Sequence, residues 1–358
     1  MTTIGFYAHH VGRGHLDRVA AICAHLGDVD RTVASTHPSV ADLAGPRTTA
    51  HPLPGDEGPG PARDRTAGGR LHHVPLGLDV AGPRVRALVA WVERERPDLV
   101  VVDVSTEVLL TVRLMGVPVV AVRLHGDRGD PAHRLAFDVA CSVVAPFPAA
   151  LEQPTTPPAL VARTFHAGVV HPPTGPGGTP GRRPPRPQVL VAWGEGSPGP
   201  SATALDAAAR ATPGWDWAFV GPPAPDGSPS AVDHRGWVTD LPAHVRRADV
   251  VVGPCGDGLV AAVAAGGGRL VALPQDRPHD EQRHKAEALR RAGAATVLDG
   301  WPAPEVWPGV LEAASAAPPL HAVLGADGAP GLAAHLRRLA IAPTRPDGRR
   351  PEEGLVPC

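Results

Sequence analysis

The chain has 358 residues, a formal net charge of −2 and 43% hydrophobic residues, with 44 prolines and 41 glycines. That proline and glycine share is about double ordinary usage, yet the apolar content and small net charge fit a packed protein. The absence of a G-x-y period excludes collagen, and the near-neutral balance gives no overall pull toward nucleic acid or anionic lipid.

The N-terminus begins directly with a strand-like run, Ile4–Ala8, and carries no signal-peptide pattern, so a cytoplasmic protein is expected. No apolar run approaches the roughly 18–20 residues of a membrane span; the longest, Gly258–Gly268, stops at Arg269. Further strands are expected at Thr32–Ser35, Leu99–Asp103, Val117–Val122 and Ser142–Ala145. Leu16, Val19, Ala20, Cys23 and Leu26 recur at helical spacing between the first two strands, and Gly27 supplies a left-handed stop. Pro83–Arg96 reads as a second helix, and Gly45–Pro83 as a long surface excursion.

Gly168–Pro187 holds 12 prolines and glycines in 20 residues and reads as an interdomain linker. The alternation then restarts. Strands are expected at Val189–Trp193, Asp216–Val220, Val250–Val252, Leu270–Leu273 and Ala295–Leu298. Helices are expected at Ser201–Ala211, Leu241–Arg247, Gly256–Ala265, Glu281–Ala292 and Glu305–Ala314, with Gly331–Ile341 last. This predicts an α/β protein of two Rossmann-like domains, residues 1–167 and 188–341, before a disordered tail at 342–358.

Three turns offer chemistry. Gly12-Arg-Gly14-His15 joins the first strand to the first helix, where glycine admits a ligand and unpaired helix N–H groups favour an anion. His15 opens that helix, either as a turn cap or as a base, since histidine's near-neutral pKa suits proton abstraction from a hydroxyl. Gly253-Pro-Cys255-Gly256-Asp257-Gly258 makes a second strand-to-helix turn, fit for a pyrophosphate or for tight helix-on-sheet packing. Pro274-Gln-Asp-Arg-Pro-His-Asp280-Glu281-Gln282 follows a buried strand and offers paired acceptors and donors for sugar hydroxyls, or a charged helix start.

Other matches carry less. Gly194-x-Gly196-x-x-Gly199 fits the dinucleotide fingerprint, but Pro198 and Pro200 crowd it and the expected acid is missing. Asp28-Val-Asp30 lies in a helix-to-strand loop away from the ligand edge, and Ser197 is not in a hydrolase elbow. The pairs His9-His10 and His72-His73 lack ligand companions at regular spacing. Cys23, Cys141, Cys255 and Cys358 have no zinc spacing, and reduced thiols are expected. The single lysine, Lys285, among 34 basic residues reads as compositional bias without a functional meaning.

Together these turns resemble the two-domain GT-B glycosyltransferases, with domains facing across a cleft. The nearest patterns are the lipid-II-forming N-acetylglucosaminyltransferase family and its actinobacterial relatives in secondary metabolism. Gly14-His15 is similar to that family's Gly-Gly-His turn, which implies His15 as the acceptor-side base. The resemblance gives Trp237 the place of the aromatic beside the nucleotide base and Val238 that of the backbone reader. Cys255, Gly256, Asp257 and Gly258 take the diphosphate turn. Asp280, Glu281 and Gln282 lie by the donor sugar, while Gly196 and Ser197 resemble the Gly-Gly-Ser loop.

The implied reaction is an inverting, metal-independent transfer of a hexose or N-acetylhexosamine from a nucleotide sugar, UDP-linked, to a small-molecule acceptor. It needs no cofactor beyond that co-substrate. Acceptor-side candidates are Asp103, Glu107, Arg123 and His125, on the loops at strands' carboxyl edges, where Asp103 reads equally as a helix cap. One departure stands out: Ala262 occupies the position of the family's ribose-binding Glu, with Asp257 as a positional substitute. A nucleotide-sugar 2-epimerase and a non-catalytic nucleotide-sugar-binding protein are the alternatives.

Overall fold

The computed structural model describes residues 1–170, 185–194, 198–222 and 230–341. The chain divides into two compact units. The first comprises Met1–Pro146, Pro154–Val170 and the chain from Gly328, and the second Phe147–Gln153 and His171–Asp327.

The first unit is built on β1 (Thr3–Ala8), α1 (Gly14–Ala24), β2 (Asp30–Ser35), β3 (Thr48–Pro52), α2 (Ala81–Glu95), β4 (Leu99–Asp103) and α3 (Thr106–Leu114). It continues through β5 (Val119–Val122), α4 (Pro131–Val139), β6 (Ser142–Ala145), α5 (Pro158–Ala162) and β7 (Thr164–His166). Its seven strands run parallel in the order β3-β2-β1-β4-β5-β6-β7. Valine-rich β4 is buried along its whole length, as a strand covered on both faces must be. Gly27 takes φ +61° just past α1, and Arg96 ends α2 in the same left-handed region before Pro97.

In the second unit, β8 (Gln188–Ala192), α6 (Ala202–Ala211), β9 (Asp216–Val220), β10 (Val232–His234), α7 (Leu241–Val245) and β11 (Val250–Gly253) come first. Then follow α8 (Asp257–Gly266), β12 (Leu270–Ala272), α9 (Glu281–Arg291), β13 (Ala295–Val297), α10 (Trp307–Ala316) and α11 (Leu320–Leu324). All six strands are parallel, in the order β10-β9-β8-β11-β12-β13. Trp217, Trp307 and Val189 are among the residues of its core.

The domain boundaries differ from the expected ones at Phe147–Gln153, which falls in the second unit rather than in residues 1–167, and at the end of the chain. The last helix, α12 (Ala329–Ile341), belongs to the first unit rather than to residues 188–341. Its buried stripe of Ala329, Leu332, Ala333 and Leu336 packs into the same core as Leu16, Val19 and Ile22 of α1, a 3.6-residue periodicity satisfied by the first sheet. His335 adds a hydrogen bond with Ser142 Oγ (3.0 Å) and stacks on Phe165. Residues 171–184 of the expected linker and the tail 342–358 lie outside the described residues. Among the described residues no helix is long and apolar enough to cross a membrane. Cys23 and Cys255 are free thiols, and Cys358 lies outside the described residues.

Leu336 is fully buried in a shared core, so Leu336→Ala should destabilise the first unit by about 2–5 kcal/mol. Denaturant unfolding monitored by a probe in that unit checks this.

Candidate functional site

In the first sheet, strand order reverses direction between β1 and β4, the crevice where open α/β sheets hold ligands. Ala8 and Asp103 are paired in register at the carboxyl ends of these strands. The turn leaving β1 therefore starts beside Asp103. Gly12 takes φ +78° there, and Gly14 opens α1 with no side-chain cap on its free N–H groups.

His15 Nδ1 lies 3.1 Å from Asp103 Oδ1. Arg18, one turn along α1, donates from Nε to Asp103 Oδ2 at 3.0 Å. The His15–Asp103 contact is an ion-pair approach rather than an aligned hydrogen bond. Because an ionised carboxylate only accepts, it favours the His15 proton on Nδ1, with Nε2 left as the acceptor. The 3.5 Å approach of the Arg18 guanidinium to His15 Nδ1 is then a contact between donors. Burial works to raise the Asp103 pKa, but Arg18 and then His15 outweigh it and hold the group below the usual carboxylate range.

The loop preceding α1 adds His9, whose ring meets His15 edge-on at 5.7 Å and stacks on His10 at 4.7 Å. Burial, reinforced by the charges of His15 and His10, pushes His9 down to about 4. Val104, directly after Asp103, has φ +59°. A β-branched residue in that region costs on the order of 1–3 kcal/mol, and such strain concentrates at functional sites. Ser105 then caps α3 by accepting from Val108 N. Capping is thus not the task of Asp103.

The other acceptor-side candidates serve the loops. Glu107 Oε1 accepts from the backbone amides of His72 (2.7 Å) and His73 (3.1 Å), fastening the excursion to α3. Arg123 and His125 are both buried after β5; Arg123 reaches Thr156 Oγ1, and His125 O accepts from Arg128. Asp130 joins His72 Nε2 (3.0 Å) to His133 Nδ1, companions for His72 that only the fold brings together. The Asp28 and Asp30 side chains engage Arg337 and Arg47 instead of converging.

In the second sheet the reversal falls between β8 and β11. An added Cβ at Gly253 would sit 2.4 Å from Ala192 O and 2.5 Å from Leu259, so packing alone requires that glycine. Gly256 differs. Its φ of −74° suits any residue, and an added Cβ would meet only Gln282 Nε2, at an ordinary 3.6 Å. Cys255 is buried, which pushes its thiol up to about 12.

Gln282 Oε1 accepts from Cys255 N (2.9 Å) and Gln275 N (3.0 Å), bracing the loops that follow β11 and β12. Any sugar contact from this side chain falls to its Nε2. His279 and Asp280 both have positive φ just before α9, a strained entry that sets Glu281 and Gln282. The Asp257 carboxylate hydrogen-bonds Lys285, an engagement that competes with the ribose contact its position suggested. Ala262 is buried and has no group to offer a ribose. Trp237 is more than half exposed after β10, beside the partly buried Val238. Gly196 and Ser197 lie outside the described residues. The sequence reading did not single out Arg18 and gave His9 and Lys285 no role; the i,i+3 and i,i+4 spacings of Arg18 to His15 and Lys285 to Glu281 were the available signals.

No protein-family model matches the chain, and no curated protein does. Solved structures do. The spinosyn forosaminyltransferase SpnP matches with a TM-score of 0.69 and 18% identity, covering 94% of this chain and 98% of that one. Glycosyltransferase VinC, in complex with dTDP, matches at 0.63 and 18%, covering 95% and 99%. The spinosyn rhamnosyltransferase SpnG matches at 0.60 and 18%, covering 94% and 95%, and has been seen with thymidine diphosphate and with spinosyn aglycone. The chain has the GT-B fold. These structures support the GT-B part of the sequence resemblance and not its lipid-II-forming part.

Within this GT-B chain, burial holds His9, His133 and His335 near 4, the last two with help from Arg128 and Arg338. Folded pKa values below the unfolded 6.5 mean that unfolding takes up protons, so stability falls as pH drops from about 6.5 toward 4. His9→Gln should reduce that slope by about one proton, measured by denaturant unfolding at several pH values.

Proposed function

We propose that this chain is a glycosyltransferase acting on a natural-product acceptor, with a nucleoside diphosphate sugar as donor. The observation that carries this reading is the His15–Asp103 pair at the reversal point of the first sheet. Asp103 fixes the proton on Nδ1, so Nε2 takes the proton from an acceptor hydroxyl. The acceptor oxygen attacks the anomeric carbon as that carbon's bond to the diphosphate breaks, and the diphosphate leaves with the electron pair. Attack opposite the leaving group inverts the anomeric centre.

The second unit receives the donor in this reading. Gly256 and the amides opening α8 meet the diphosphate, whose charge the helix N-terminus favours without a metal ion. The sugar, of hexose or N-acetylhexosamine type, lies by Glu281 and Gln282, and the base by Trp237. A uridine nucleotide is the donor that the resemblance implies. Buried Ala262, with no acceptor for a vicinal diol, and the thymidine diphosphate bound by SpnG favour thymidine instead.

A thermal-shift screen of UDP, GDP and TDP separates these donors: TDP should stabilise the protein most, and stabilisation by none of the three would remove the donor site. With a proven donor and acceptor, His15→Ala should lower kcat by about 10²–10⁴ while donor stabilisation persists. Full turnover by that variant would refute His15 as the base. Donor binding by wild type with no turnover on any acceptor would favour the non-catalytic nucleotide-sugar-binding reading.

A further inference from the structure

Beside 33 arginines the chain keeps one lysine, Lys285. It lies in the second turn of α9 with only 2% of its surface exposed. Its Nζ hydrogen-bonds Asp257 Oδ1 and stands 3.8 Å from Glu281 Oε1, one helical turn back. Burial works against its charge, but Asp257 and then Glu281 outweigh that and hold the ammonium above its ordinary pKa. The lysine is therefore a buried cation between two partly exposed carboxylates.

Its place relative to Gly256 is what gives this cation meaning. Gln282 holds the turn at Cys255 and Lys285 holds it at Asp257, so α9 grips the turn on both sides of Gly256. Asp257 and Glu281 would otherwise bring two negative charges to the turn, each repelling an anion by a Coulomb energy that partial burial magnifies. A compact ammonium with rotatable donors suits an enclosed site with two single carboxylate oxygens, where a planar guanidinium fork does not. A chain that uses arginine elsewhere has kept lysine here.

We propose that Lys285 is the positioning residue and internal counter-charge of this turn, offsetting Asp257 and Glu281 so that Gly256 accepts a nucleoside diphosphate. This rests on the donor site proposed above. The effect must then scale with ligand charge, which a purely structural lysine would not produce.

The test measures binding of TDP, TMP and thymidine, and of UDP, UMP and uridine, to the full-length wild type, Lys285→Met and Lys285→Met/Asp257→Asn by calorimetry or ligand-observed NMR. Lys285→Met should weaken the diphosphate tenfold or more and the monophosphate less, with the nucleoside within twofold of wild type. The double variant should recover most of the loss. Equal losses for all three ligands, or unchanged diphosphate affinity, would overturn the proposal. Should Lys285→Met fail to fold, Asp257→Asn alone decides: the diphosphate should bind two- to fivefold tighter, and unchanged or weaker binding counts against the counter-charge. A wild type that binds neither diphosphate defeats the donor site itself, a result distinct from a wild type that binds while its lysine variant binds equally well.

Discussion

Asp103 is a carboxylate buried at the end of a fully buried strand, and the layout of the first unit follows from satisfying it. Losing one partner of a buried ion pair costs about 3–5 kcal/mol, because the other charge remains desolvated. Arg18 and His15 supply the compensation, and both come from the first turns of α1. Helical spacing places the two side chains on one face, while the pairing of Ala8 with Asp103 fixes where α1 begins. The same arrangement that relieves the buried charge also places His15 Nδ1 against the carboxylate, which favours its proton there. Under the proposed function, stability and chemistry share one set of contacts.

A parallel solution serves the second unit. There the buried charge is a cation, Lys285, and the compensating groups are carboxylates at the start of α8 and α9. In both units the compensated group stands where strand order reverses or on the helix bracing that turn. Backbone strain gathers at the same places, in Val104 after β4 and in His279 and Asp280 before α9.

Much of this was legible in the sequence. The valine-rich strands, the glycine turn before His15 and the restart of alternation after Pro187 reflect periodicities that parallel sheets impose. The strands that sequence reading missed, β3, β7 and β10, are all edge strands; they are short or proline-terminated and bury little, so their pattern is weak. The membership of α12 in the first unit was hidden because its apolar stripe specifies a face and not a partner. Side-chain roles were harder still. Asp103 read equally well as a helix cap until Ser105 was seen to cap α3, and Glu107 binds backbone amides that lie 34 and 35 residues away. Lys285 looked like chance because composition alone cannot show that a cation is buried.

The central claim is that Asp103 holds the proton of neutral His15 on Nδ1. Nitrogen-15 NMR of histidine-labelled protein measures this directly, with the His15 signals assigned from their loss in His15→Ala. The account predicts shifts of the Nδ1–H tautomer for neutral His15, moving toward the Nε2–H form in Asp103→Asn. An Nε2–H tautomer in the wild type, or no response to Asp103→Asn, would contradict it.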